Sequence, residues 1–232
     1  MEQWKPLTQT TLETVFQDIL QAYVSRCSQP SPKTSSVIET VTKSKCLRSA
    51  MLSLHLDTYC LENFASRVYV TNVVKNAYAV TTFGGLVFLS ERLEQLDLEY
   101  STLLYITVAH EAVHCSMRVH CGFYDALHRT EEREIVIGCP GDSRTHSKEL
   151  HSKESGDQIE EQLFGCKVTM LTKPQCNYLT REANWKSRDL NSFKLVLHRF
   201  RKEATPEEVK YLPRKAETRL MALREKCRYR GS

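Results

Sequence analysis

His110, Glu111 and His114 are the residues of this chain best suited to do chemistry together. On a helix, positions four apart share one face about one turn apart, so His110 and His114 point the same way and can share one metal ion. Zinc is the expected ion, because imidazole suits it and the spacing is that of a helical zinc pair. Glu111 follows the first ligand, offset around the helix, where it can take a proton from a zinc-bound water and pass it to a leaving amine. Two histidines and a glutamate on an otherwise apolar helix would be costly to bury without a metal or other partners.

A third ligand is needed, and three residues compete. His120 gives the spacing His110-x3-His114-x5-His120, the length of the metzincin pattern, with Met170 as a candidate downstream Met-turn. Met117, however, stands where that pattern needs a turn-forming glycine. A continuing helix would swing His120 roughly 240° away from His114. Glu160 is the leading candidate. Ile159, Leu163, Cys166 and Met170 form an apolar stripe, and Glu160 lies on its edge, on the same side as Gly156. A carboxylate there wants a partner, and zinc would provide one. Gly156, one turn earlier, would let the His110 helix approach closely. Glu154 is the alternative, at the start of the same segment.

Elements must position these groups. Helical spacing predicts a helix over residues 12–26, a loop over 27–36 and a helix within 45–63. Residues 67–74 read as a strand, and so do 76–80 and 84–90, with the glycine pair Gly84 and Gly85 turning between them. A short helix is expected at 91–96. The best helix spans 100–118 and carries the motif. Residues 121–153 are long, polar and irregular, and hold Tyr124, His128, His146 and His151, none of which stands out as an oxyanion stabiliser. A helix over 156–171 is expected to end at Lys173 and Pro174. Terminal helices are expected at 192–200 and 206–229. The fold class is therefore α+β, mostly helical, with a small antiparallel or mixed sheet beside an active-site helix pair. Three segments follow: 1–66 helical, 67–175 the catalytic core and 176–232 a basic helical end, together one compact domain.

The 232 residues suffice for one sizeable core, and 41% hydrophobic with 26% charged residues is ordinary for a globular protein. The net charge of +4 does not by itself imply nucleic acid or membrane. Residues 194–232 nevertheless hold 12 Lys and Arg against 5 Asp and Glu, so a basic tail keeps nucleic acid or an acidic partner open. There are nine cysteines and no Cys-x-x-Cys pair. The opening residues are polar, with no apolar segment of a secretory signal behind them, and no run is long enough for a membrane span. Reduced thiols inside the cell, in cytoplasm or nucleus, are expected.

Asn76-Ala77-Tyr78-Ala79, Gly84 through Ser90, and the His110–His114 motif together resemble the core of small gluzincin metallopeptidases. The similarity is to the CAAX prenyl peptidases and their bacterial heat-shock relatives, without their membrane spans. Glu154-Ser155-Gly156 with Glu160 and Leu163-Phe164-Gly165 also resembles a motif of zincin-like fungal proteins. The resemblance covers residues 68–171. It implies a zincin-like fold, a strand beside the substrate cleft, two packed active-site helices, zinc on His110 and His114, Glu111 as general base and acid, and hydrolysis of a peptide or protein substrate. The strand at 85–90 is then expected to pair with an extended peptide. In the prenyl-peptidase group an Asp follows the ligand glutamate by four; here Phe164 follows Glu160 and Gln158 follows Glu154. The competing expectation is a non-catalytic interaction module whose basic tail docks a partner.

Overall fold

The computed structural model describes residues 21–72, 74, 77–82, 85–127, 155–165 and 171–208, the side chains of 120–127, 155 and 157 excepted. Residues 21–24 are helical and end the first expected helix. The remainder of that helix, and the expected one at 206–229 beyond residue 208, lie outside the described residues.

Helix α1 (Pro32–Thr42) starts inside the expected loop. Ser31 caps it by accepting from the Thr34 amide, and the proline sits in the first turn, where no amide hydrogen is needed. Helix α2 (Lys45–Ser53) is capped in the same way by Ser44. It stops well short of 63: His55 takes a positive φ of 58°, and a single 3₁₀ turn, Tyr59–Glu62, follows.

Three strands form one mixed sheet: β1 (Val68–Thr71), β2 (Ala79–Thr81) and β3 (Val87–Ser90), in the order β1-β3-β2. β3 pairs parallel with β1 and antiparallel with β2, with Val80 opposite Phe88. β3 is therefore central and hydrogen-bonded on both sides, which overturns the expectation that it receives a peptide. Among the described residues the open edge belongs to β2, because the outer side of β1 meets Ser28 through a bridge at Val70. Gly85 makes the β2–β3 turn at φ 76°, and its amide bonds to the Thr82 carbonyl at 3.1 Å. A Cβ there would stand 2.7 Å from Val119 Cγ2, so the turn is pressed against the next helix.

That helix, α3 (Leu98–Leu127), is longer than the expected 100–118. Asp97 accepts from the Tyr100 amide at its start. Leu104, Val108, Ala109, Ala112, Val113 and Cys115 are fully buried, as befits a helix enclosed by other elements. It packs against α1, against β2 and against α4 (Ser155–Phe164). α4 ends at Phe164 rather than 171, with Gly165 at φ 68° and its amide bonded to the Glu161 carbonyl. This left-handed glycine is a common helix stop.

Lys173 and Pro174 do not end a helix; they open α5 (Lys173–Leu179). Thr172 and Gln175 form a reciprocal capping box there, and proline in the first turn costs no backbone bond. α6 (Glu182–Ser187) and α7 (Leu190–Glu203) complete the described chain. Trp185 is fully buried, stacked on Tyr105 of α3 at 5.7 Å and tilted against Phe193 of α7 at 4.9 Å. Its indole nitrogen donates to the Leu179 carbonyl. One apolar core thus joins Val37 and Leu47, Val108 and Leu163, and Trp185 and Phe193, across both expected segment boundaries. The fold is α+β and mostly helical. Among the described residues no helix is long and apolar enough to cross a membrane.

Candidate metal centre

The middle of α3 delivers the motif. His110 and His114 present their Nε2 atoms to one another at 3.1 Å, with ring centroids 4.9 Å apart. Two ligand atoms of a tetrahedral zinc, each about 2.0–2.1 Å from the ion, stand about 3.3 Å apart, so the pair fits the group. His114 is buried at 7% exposure and His110 is partly buried.

Glu111, one residue on, turns roughly 100° around the helix toward the sheet. The residue is 6% exposed, and Oε2 accepts from the Thr81 hydroxyl at 2.5 Å. Thr81 is the last residue of edge strand β2, so this bond ties the acid to that strand. Sequence reasoning missed Thr81. The period-two alternation of a strand puts 79 and 81 on one face, which was the available signal, but which helix that face meets is not local information.

Compared with known families, with curated proteins and with solved structures, the chain matches none. The site therefore rests on its own geometry.

α4 closes the other side. Glu160 Oε1 meets His110 Nδ1 at 2.8 Å, with the two side chains only 14% and 17% exposed. Gly156, one turn earlier, faces the same ring. A Cβ at 156 would fall 2.1 Å from His110 Cε1 and Nε2 and 2.4 Å from Nδ1, so only glycine leaves room for the imidazole. Fully buried Ile159 and Leu163 anchor α4 to the core beneath it. Glu160 is thus brought to the histidine pair, but at the nitrogen that faces away from His114. Among the described residues no three His, Cys, Asp or Glu side chains converge on one point.

The backbone is helical through position 120, since α3 continues to Leu127. The turn that would return His120 to the pair is absent, which removes the basis of the metzincin spacing. The His120 and Tyr124 side chains lie outside the described residues, as do Glu154, His128, His146, His151 and Met170.

Two thiols lie behind the motif. Cys115 Sγ donates to the Gly85 carbonyl and Cys60 Sγ to the Ala112 carbonyl. A hydrogen bond with Cys60, then burial, pushes the Cys115 thiol up, while the same bond from Cys115 lowers Cys60. Cys115 packs against the β2–β3 turn. Ser116 donates to the Asp57 carbonyl at 2.6 Å and fixes the helix on its remaining side.

Proposed function

We propose that the chain is a zinc-dependent hydrolase of zincin-like fold, acting as a peptidase. The observation that carries this reading is the facing pair His110 Nε2 and His114 Nε2, 3.1 Å apart, with the Glu111 carboxylate on the next position of the same helix. When bound, zinc would supply a water of lowered pKa and a Lewis acid for the scissile carbonyl. His110 and His114 would hold it.

The remaining roles belong to the chain's own groups. Glu111 takes the proton of the attacking water and delivers it to the leaving amine. Thr81 donates to Oε2 of that carboxylate and orients it for the proton transfer. Among the described residues β2 keeps an open edge, and its end is tied to Glu111 through Thr81; such an edge would suit an extended peptide, bound by main-chain hydrogen bonds with little demand on sequence. The five described cysteines are free, which suits a reducing compartment, cytoplasm or nucleus.

The test is zinc content of the purified, tag-free protein beside a screen of peptide substrates. About one zinc per chain, lost in His114→Ala, with turnover abolished but zinc kept in Glu111→Gln, supports the proposal. Absence of zinc after reconstitution would overturn it and favour an interaction module that uses the basic end.

A further inference from the structure

We infer that Glu160 is a positioning carboxylate for His110 and not a zinc ligand; this rests on the zinc reading above. Glu160 acts on the His110 imidazole. Its two ring nitrogens point to different sides, and in the neutral ring one donates while the other accepts. Glu160 Oε1 stands 2.8 Å from Nδ1, and a carboxylate only accepts. The proton therefore belongs on Nδ1, which leaves the Nε2 lone pair facing His114 Nε2 at 3.1 Å. A carboxylate bonded to Nδ1 lies across the ring from anything bound at Nε2. To become a ligand there, Glu160 would have to abandon this bond.

One helix makes both halves of the clamp. Gly156 and Glu160 are four apart on α4 and meet the same ring: the glycine gives it space, and the glutamate sets its tautomer and angle. With Ile159 and Leu163 fully buried, α4 has little freedom to bring the carboxylate around to the other nitrogen. The side chains involved are less than one-fifth exposed, so the charge-assisted bond is not weakened by full hydration. With Glu160 in this role, no third ligand is found among the described residues. Such orienting partners of metal-bound histidines raise ligand basicity and hold the ring in place.

The experiment uses the full chain and four proteins: wild type, Glu160→Ala, Glu160→Gln and His114→Ala. Zinc affinity is measured by chelator competition, and the visible spectrum of the cobalt-loaded protein reports the ligand set. Glutamine keeps an oxygen that accepts from Nδ1. The expected result is a Glu160→Gln protein close to wild type. Glu160→Ala should still take one equivalent of metal, with affinity about 10–100-fold lower, and should keep the wild-type cobalt band pattern. Loss of stoichiometric metal in Glu160→Ala and Glu160→Gln alike, matching His114→Ala, would overturn the inference and make Glu160 a ligand. Should Glu160→Ala fail to fold by circular dichroism, the Glu160→Gln spectrum decides: an altered band pattern overturns the inference and an unaltered one supports it. A wild type that takes no zinc or cobalt would instead refute the zinc reading itself.

Discussion

The Thr81 hydroxyl donates to the Glu111 carboxylate at 2.5 Å, tying the end of the edge strand to the middle of the central helix. Glu111 is almost fully buried, and hydrogen bonds to a charged group carry more than neutral ones. Thr81→Val should destabilise the protein by about 1.5–3 kcal/mol and cut turnover. Thr81→Ser should restore both. Urea unfolding and peptide hydrolysis measured on the two variants check this; a valine variant with unchanged stability and rate would remove the role assigned to Thr81.

Gly156 and Gly165 are expected to fail for different reasons. Alanine at 156 meets the His110 ring at 2.1 Å, an overlap that should cost about 1–3 kcal/mol and weaken zinc binding by displacing the ring. Alanine at 165 meets nothing within 4 Å, but the φ of 68° disfavours it by about 1–2 kcal/mol, and zinc binding should not change. Parallel melting curves and zinc titrations separate the two effects. Equal zinc affinity in both variants would argue against the close approach.

Metal removal should be visible in stability. A ligand that binds only the folded chain stabilises it by about 2.7 kcal/mol at 100 times its Kd. Melting temperature should rise with added zinc and fall with chelator in the wild type, and should ignore both in His114→Ala. A His114→Ala protein that still responds to zinc would place the binding elsewhere.

Trp185 should couple the C-terminal helices to the helix that carries the motif. Its ring is fully buried between Tyr105 and Phe193. Trp185→Ala should cost about 3–5 kcal/mol, with unfolding remaining a single transition. Two separated transitions in the wild type, one of them unaffected by the substitution, would show that the residues after 175 form a unit of their own.

Stability should also fall in alkali. Burial pushes the Cys46 thiol up to about 11 and the Cys176 thiol up to about 12, from an ordinary 9.0. The Tyr105 and Tyr178 hydroxyls rise to about 12 from 10.0, again mainly through burial. These groups keep their protons when folded and release them on unfolding once the pH passes their ordinary values. Their contribution is whole below about pH 9 and is lost as pH rises toward 11–12. Urea midpoints taken from pH 7 to 10.5 should hold and then decline. Cys46→Ser and Cys176→Ser together should flatten the early part of that decline.

Much of the centre could be read in the chain without its fold. The spacing of His110 and His114 decides that they share a face, because helix period acts within one element, and the structure has them at 3.1 Å. The same period puts Gly156 and Glu160 on one side of their helix, both against one ring. Composition and alternation were enough for a mostly helical α+β chain with a three-stranded sheet. Local signals are ambiguous where one residue type serves two ends: Pro174 reads as a helix stop but begins a helix, since a missing amide hydrogen is harmless in a first turn.

Only the tertiary structure decided which strand keeps an open edge, which hydroxyl meets Glu111 and which nitrogen of His110 meets Glu160. Periodicity sets the direction of a side chain about its own axis. It does not set which element lies in that direction, and strand order and helix approach depend on contacts far apart in sequence. Val68 pairs with Val87 rather than with the intervening strand, and residue 81 meets residue 111, because burying one shared core selects that arrangement.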